Sequence, residues 1–579
     1  MIVVYDNFDY GEGVRTQTLH NPPKHYSVTT GKLLLGRELP KALRPNMLDC
    51  KRMLTPEDIL MHEGNMQDDI QKRIHLYWIA EAIRGAHGSA VEDAFRPISD
   101  LGQVQRPARI GKGTQLEGWP QMPKLDILSP EKTEQHAFGP IPANEGTLDG
   151  TYQVLDNIFL KQLKLDDEED FDGRLQLIYG DQKTVSLLRS IQKEQRDSMR
   201  CYDRRDWYLP IPGLFHWRMN LVDLISNVFN GSGHPNDRSG LAHHRAIIGV
   251  KLTGDSPFQD KQQVILQSFE ARVLSFFYQA IKGDVDISDK EKIDNYIKNL
   301  SPDHFRAIIN GIQEKAFLFE CTRPDINNRN LANSGVSDAD AESIAHFRFL
   351  QAVAAYKTLK YAIQRGDIGL IGRVISRCCL LFRASGTKNY AFLSLYMFNL
   401  TQTNAASEDL RRAILANSLV NLNGKETGFF EIDRLNELFN LQLKELISSR
   451  RTSSAPIIDL FYRCAAAASY NTQLKDIVES AFGVHVNNRH TDPDNSAGVR
   501  SLAYELAVPL KRGGRVAITK VFLPDDLIKS GVKKLTTSDA LDKFNAEFID
   551  GVWGEVDDDN AVNAASEPIT TLLDIIDAD

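Results

Sequence analysis

Two carboxylates occupy matching positions in this chain. Asp6 follows the apolar run Ile2-Val3-Val4-Tyr5, and Asp181 follows Leu177-Ile178-Tyr179-Gly180. An acid at the end of each of two neighbouring strands, joined by a third on a nearby helix, is the donor set that a pair of divalent ions needs. Such hard cations take oxygen ligands, and two of them clamp an in-line phosphoryl displacement. A helix with the pattern to supply the third acid is EIDRLNELFNLQLK. Asp433, Glu437, Asn440 and Lys444 recur there at helical spacing on one face, while Leu435, Leu438, Phe439 and Leu443 mark the other. The same spacing describes an ordinary amphipathic helix with a solvated stripe, which is the commoner outcome, and Asp6 alone reads as a strand terminator.

Other reactive residues carry less. Lys183-Thr184 in GDQKT resembles the end of a phosphate loop, but the earlier glycine that such a loop requires is missing, so that reading is rejected. His216 falls in an apolar helical stretch, where a hydrogen-bonded core histidine is the usual result. His234, His243 and His244 lack metal-ligand spacing with a Cys or Glu. No Gly-x-Ser-x-Gly elbow occurs. Cys378-Cys379 reads as core. Lys444 with Arg450 and Arg451 forms a small basic patch suited to a phosphodiester backbone or to pairing with nearby acids.

The elements that must position these residues follow from pattern. Ile2 to Tyr10, Val14 to His20 and His25 to Gly36 read as three strands joined by short turns, an antiparallel meander. Thr55-Pro56-Glu57-Asp58 opens a helix by cap chemistry, and helical periodicity continues from Ile70 to Ile83. From Arg84 to about Glu145, Gly and Pro are frequent and period is lost, so a long irregular connection is expected. Tyr152 to Leu163 is helical, and the acidic run Asp166 to Asp170 reads as a solvated loop. Arg174 to Thr184 is a strand passing through Gly-Asp into a helix. A short strand ending at Pro212 then precedes the His216 helix. Gln259 to Ala416 is almost wholly helical. A turn at Asn423-Gly424 leads to the acidic helix near Glu431, and Val484 to Gly498 is loop-like.

A chain of 579 residues exceeds one ordinary core, so several units nested as insertions are expected. Lys and Arg number 68 against 77 Asp and Glu, a net charge of -9, which excludes a global basic field for nucleic acid or membrane. Six dispersed cysteines with no C-x-x-C pair point to a reducing compartment. No signal peptide and no run of about 20 apolar residues occurs, so a soluble intracellular protein without membrane contact is expected. Because the chain opens inside a strand, an upstream region in a longer product is also expected.

Several stretches together resemble a eukaryotic, mainly fungal family catalogued as domain of unknown function 6589. They are VVYDNFDY, LIYGDQKTV, LPIPGLFHWRMNLV, AIQRGDIGLI, FRASGTKNYAFLSL and SLVNLNGKETGFFEIDRLNELFN with the following LK, spread from Val3 to Lys444. One departure is Ser394, shortly after Asn389-Tyr390-Ala391 where the family often has an acid; that position is assigned no catalytic role. The order of elements is also similar to the ribonuclease H-like core of DDE/D transposases, and FHWRMNLVDLI is similar to the His-containing segment of the hAT and Mutator-like groups. That resemblance implies Asp6, Asp181 and Glu437 as metal-binding catalytic acids, His216 as a supporting catalytic residue, and Mg²⁺ or Mn²⁺ as cofactor.

The expected fold class is therefore α/β, a ribonuclease H-like mixed sheet with a large all-helical insertion, helix-dominated overall. Residues 1–50 would hold the first three strands, 51–170 a helical and irregular insertion, and 171–230 the second part of the core. Residues 231–417 would be the helical insertion domain, 418–450 the final acidic helix, 451–550 a C-terminal helical region and 551–579 a disordered acidic tail. The expected function is transposon-derived, metal-dependent cleavage or strand transfer at DNA, in the nucleus, with homo-oligomers left open. The rival is a catalytically inactive, domesticated scaffold for protein or DNA. A third reading is a helical interaction protein with a small appended sheet.

Overall fold

A computed structural model describes the chain apart from residues 13–23, 40–41, 50, 65–68, 96–115, 117, 166–167, 234–236, 251–256, 319–337, 449–461, most of 463–494, 509–521 and 551–579. A five-stranded sheet holds β1 (Ile2–Glu12), β2 (Lys24–Leu34), β3 (Gln135–Ala137), β4 (Gln176–Gly180) and β5 (Tyr208–Pro212), in the order β3-β2-β1-β4-β5. β1 and β2 pair antiparallel, as do β2 and β3, whereas β1 with β4 and β4 with β5 are parallel. Every residue of β4 and β5 is buried, because helices cover both faces of the parallel half. That is why these strands read as apolar runs and not as alternation.

Along β1 the period of two sorts the side chains. Val3 and Tyr5 pack in a cluster with Val154, Ile158 and Leu188, while Val4 joins the larger core and Phe8 packs with Phe439 and Leu443. The last β1–β4 pair is Val4 with Tyr179. Two residues beyond it, one strand reaches Asp6 and the other reaches Asp181.

Helices α1 (Pro56–Gly64) and α2 (Asp69–Ala94) follow β2, α3 (Leu148–Asp156) follows β3, and α4 (Glu168–Phe171) precedes β4. Helices α5 (Gln182–Gln195) and α6 (Cys201–Arg204) join β4 to β5, and α7 (Leu214–Val228) leaves β5. The helical block comprises α8 (Leu241–Ile248), α9 (Phe258–Ile281), α10 (Lys290–Lys298), α11 (Pro302–Gln313), α12 (Asp338–Arg365), α13 (Ile368–Ser385), α14 (Lys388–Gln402) and α15 (Glu408–Asn417). A two-stranded hairpin, β6 (Leu419–Asn421) and β7 (Phe429–Glu431), then turns the chain into α16 (Ile432–Ser448). The class is a helix-dominated α/β fold. No described helix is long and apolar enough to cross a membrane.

Several local expectations are corrected. The third strand of the antiparallel half is β3, from the stretch expected to be irregular, and not a segment within residues 1–50; Val14 to His20 lies outside the described residues. A half-buried strand of three residues is too short to display a period. Helix α2 does not stop at Ile83. It continues to Ala94 through a kink at His87, whose ring is held by Asp294 and Tyr278. Gly85 and Gly88 interrupt the pattern there, but Ala86, Ala90 and Val91 still form a buried small-residue face.

The acidic run is not wholly loop, since Glu168 in α4 accepts a hydrogen bond from the Cys201 N–H at 2.7 Å. Cys378 and Cys379 are fully buried, as core residues should be. Arg450, Arg451, most of Val484 to Gly498 and the acidic tail lie outside the described residues.

Candidate functional site

Four carboxylates from four separate elements meet at the middle of β1, just past its last pair with β4. Asp6 stands on the strand and its Oδ1 accepts the Asn7 N–H at 2.8 Å. Asp181 is the N-cap of α5, its side chain accepting the Thr184 N–H at 2.7 Å. A strand that ends on Asp and passes straight into a helix gives that residue two tasks, capping the helix and presenting its second oxygen. Glu437 projects from α16. Glu145 comes from the loop before α3, where its N–H donates to Asn7 Oδ1 at 3.2 Å and its Oε1 accepts from Thr184 Oγ1 at 3.3 Å.

Asp6 is the hub of the cluster, since the charges of Glu437, Glu145 and Asp181 all act on it. Burial first, then the charges of Glu437, Glu145 and Asp181, hold the Asp6 carboxyl well above the usual carboxylate range, with His216 opposing. Burial and the Asp181 charge likewise push Glu145 up to about 8, against hydrogen bonds from Thr184, Asp6 and the Asn7 region. Glu145 is 4% exposed and its Oε2 has no hydrogen-bond partner.

His216 opens α7 beside the cluster. Its Nδ1 lies 3.1 Å from Asp433 Oδ2 and its Nε2 lies 3.6 Å from Glu437 Oε1. Burial disfavours charge on the imidazole, but the two carboxylates outweigh it and raise the pKa of His216 well above the ordinary histidine range. Glu437 moves the other way. Burial raises it, but His216, Asp6 and Lys444 together hold it below its ordinary value.

The join between α7 and α16 fixes this arrangement. Gly213 is the N-cap of α7 and has no side chain to cap with, so Asp433 of α16 does so, accepting from the Phe215 and His216 N–H groups at 3.1 Å. A β-carbon on Gly213 would stand 2.2 Å from Asp433 Cγ, so the close approach requires glycine. Arg218 and Glu431 add a buried ion pair at 2.9 Å across the same join. Asp433→Ala is expected to cost about 3 kcal/mol, because it uncaps α7 and removes a buried partner of His216. Chemical denaturation measures this, and a loss near zero would show that Asp433 is not the tie.

All four residues singled out from the sequence, Asp6, Asp181, Glu437 and His216, are brought together. The polar face of α16 is not a solvated stripe: Asp433 is buried, Asn440 binds Thr30 and the Asn7 carbonyl, and Lys444 sits over the Phe8 ring at 5.9 Å. His216 is not an ordinary core histidine either, since its partners are acids. His243 and His244 diverge, one to Glu505 at 2.8 Å and the other to Ser268 and the Arg238 carbonyl; His234 lies outside the described residues.

Sequence reasoning missed Glu145 and the capping task of Asp433. The one local signal for Glu145 was its position just before Thr147, which caps α3.

Among the described residues no three His, Cys, Asp or Glu side chains already stand as a metal-coordinating group. The named oxygens of Asp181, Glu145 and Glu437 are engaged by Thr184 N–H, Thr184 Oγ1 and His216. The donor chemistry nevertheless fits a hard divalent cation: carboxylate oxygens, a buried and unpartnered Glu145 Oε2, and more negative groups than His216 can offset. Side chains would have to converge for an ion to be held.

A family model described as "Family of unknown function (DUF6589)" matches residues 111–490, a span that contains Glu145, Asp181, His216, Asp433 and Glu437 but not Asp6. No curated protein and no solved structure matches the chain.

Proposed function

We propose, from the premise that this chain belongs to the DUF6589 family of unknown function, that it is a transposon-derived DNA-processing protein. Its sheet would be a ribonuclease H-like core and its acidic centre the site of metal-dependent phosphodiester cleavage or strand transfer. The single observation that carries this reading is the meeting of Asp6, Glu145, Asp181 and Glu437, from elements up to 431 residues apart, in a centre short of positive charge. Support for the fold comes from the strand order β3-β2-β1-β4-β5, antiparallel then parallel, followed by a helical block and an acidic helix. Fold alone would not carry the function.

Asp6, Asp181 and Glu437, with Glu145, are the groups to hold Mg²⁺ or Mn²⁺. A bound pair would supply activation of a water or 3′-hydroxyl and charge stabilisation at the leaving oxygen. His216 holds Glu437 from one side while Asp433 fixes the imidazole by Nδ1, so His216 is a positioning residue in this scheme. A nuclear location follows from the DNA reading.

The test is incubation of the full chain with supercoiled DNA in Mg²⁺, Mn²⁺ or EDTA. Nicking or linearisation that needs the metal, and is lost on alanine substitution at Asp6, Asp181 or Glu437, is the expected result. Single variants that cleave like the parent would show that the acids are not the site. A second reading, a catalytically silent scaffold, draws on the pairing of Glu437 with His216 and on the absence, among the described residues, of three side chains already placed to coordinate a metal. Folded parent protein that binds DNA or protein but neither takes up divalent cation nor cleaves selects it.

A further inference from the structure

The loop that delivers Glu145 has a second face. Between it and the helix that follows lies a cleft of about 360 Å³, the size of a small-molecule site. One wall is Ile141, Pro142 and Ala143, fastened to β2: Ile141 and Thr29 exchange backbone hydrogen bonds at 2.9 Å, and Thr29 Oγ1 donates to the Ala143 carbonyl at 2.8 Å. The other wall is the end of α3 and a π-helical turn, Asn157–Gln162. Such turns are rare and frequent at functional sites.

The two walls are tied to each other. Thr151 Oγ1 donates to the Glu145 carbonyl at 2.8 Å, and the Gln162 side chain bonds the N–H and the carbonyl of Gly139 at 2.8 and 2.9 Å. The cleft is therefore formed in advance, so a ligand does not have to order it.

Its polar groups suit the two ends of one molecule. Asp156 Oδ1 accepts from Tyr202 Oη at 2.6 Å and from Arg205 Nη2 at 3.1 Å, which leaves Oδ2 without a partner among the described residues. Asn157 Oδ1 accepts from Gln162 Nε2 at 2.8 Å, so Nδ2 is the end that it offers. Lys161 is exposed and forms no ion pair among the described residues, not even with Asp156, which is drawn to Arg205. Because Arg205 offsets Asp156, Lys161 leaves the cleft one positive charge in excess. Leu160 and Pro142 add an apolar lining. An ammonium with an amide N–H₂ takes a carboxylate, and a carboxylate oxygen takes an N–H donor, each by a charge-assisted bond.

We propose that this cleft binds a small aliphatic amino acid as its zwitterion. The ligand carboxylate meets Lys161 Nζ and Asn157 Nδ2, its ammonium meets Asp156 Oδ2, and its side chain lies against Leu160 and Pro142. The assignment is independent of the DNA-processing reading, since Glu145 gives its carboxylate to the acidic centre and only its carbonyl to the tie with Thr151.

The test is saturation-transfer NMR on the full chain with L-leucine. Two analogues accompany it: 4-methylpentanoate lacks the ammonium and 3-methylbutylamine lacks the carboxylate, while both keep the aliphatic body. Leucine is expected to receive saturation and to bind about tenfold tighter than either analogue. Lys161→Ala should weaken leucine about tenfold. Gln153→Trp, on the helical wall, fills the cleft and should abolish the transfer. Both positions are exposed, so both variants should melt with the parent.

No transfer to millimolar leucine overturns the site. Equal transfer in the parent and both variants shows that leucine binds elsewhere and overturns it too. An analogue that binds as tightly as leucine, with the same dependence on Lys161 or Gln153, overturns the zwitterion assignment.

Discussion

Asp6→Asn is expected to abolish Mg²⁺-dependent DNA cleavage and at the same time to raise the melting temperature of the metal-free protein. Asparagine keeps the shape of the side chain and its acceptor for the Asn7 N–H, but removes one of four crowded acids. Loss of a ligand to a catalytic cation removes several kcal/mol of charge stabilisation in the transition state, about a thousandfold in rate. The metal-free fold gains from the same change, since burial and the charges of Glu437, Glu145 and Asp181 all disfavour an ionised Asp6.

Asp181→Ala should match it in activity and oppose it in stability. Asp181 caps α5, and losing that cap costs about 1 kcal/mol. The pair of outcomes separates a functional cluster, where stability is sacrificed for chemistry, from a structural one. Asp6→Asn protein that melts below the parent in EDTA would mean that Asp6 is a structural acid.

How far these features were legible depends on whether the causal signal was local. Asp6 and Asp181 could be found because each follows an apolar strand run, although β1 itself continues past Asp6 to Glu12, and Asp181 is followed three residues later by the Thr184 N–H that it caps. The spacing of Asp433, Glu437, Asn440 and Lys444 was equally visible. Its destination was not, because an amphipathic helix facing solvent and one facing polar groups on a sheet have the same pattern. What decides between them is Thr30, Asn7 and Phe8, more than 400 residues away.

Glu145 had no signal beyond its place just before the α3 cap Thr147. It lies in an irregular loop, and its placement depends on the Asn7 side chain and on a Thr184 hydroxyl from another element. The three residues of β3 were hidden for a related reason, being held by their partner strand and not by their own periodicity. Helical blocks such as α9 and α12 to α14 were readable because length and period reinforce each other over many turns.

The metal-free protein is expected to lose stability steadily from about pH 5 to about pH 8, and divalent cation should restore it most at the upper end. Glu145 is raised from the ordinary carboxylate range to about 8 in the folded chain, and Asp6 is raised in the same direction. A group raised on folding stabilises fully below its unfolded value, and that contribution is lost as pH climbs through the folded value. His216 has the same sign: its contribution is present below the ordinary histidine range and lost only as pH rises through its higher folded value. Glu437 is lowered and so acts at the acid end, losing its contribution as pH falls through its depressed value.

General repulsion in a chain of net charge -9 also grows with pH, so the parent curve alone does not isolate the centre. Glu145→Gln does. It should flatten the decline between pH 5 and 8 and reduce the pH-dependent part of the Mg²⁺ or Mn²⁺ stabilisation, because a cation that takes the place of the Glu145 proton stabilises most where that proton is lost. Thermal melts across this range, with EDTA and with saturating Mg²⁺, measure both. A metal-free curve that is level or rising, or a Glu145→Gln curve parallel to the parent's, would mean that the acids are compensated inside the protein. His216 would then be a permanent counterion and not the neighbour of a cation site.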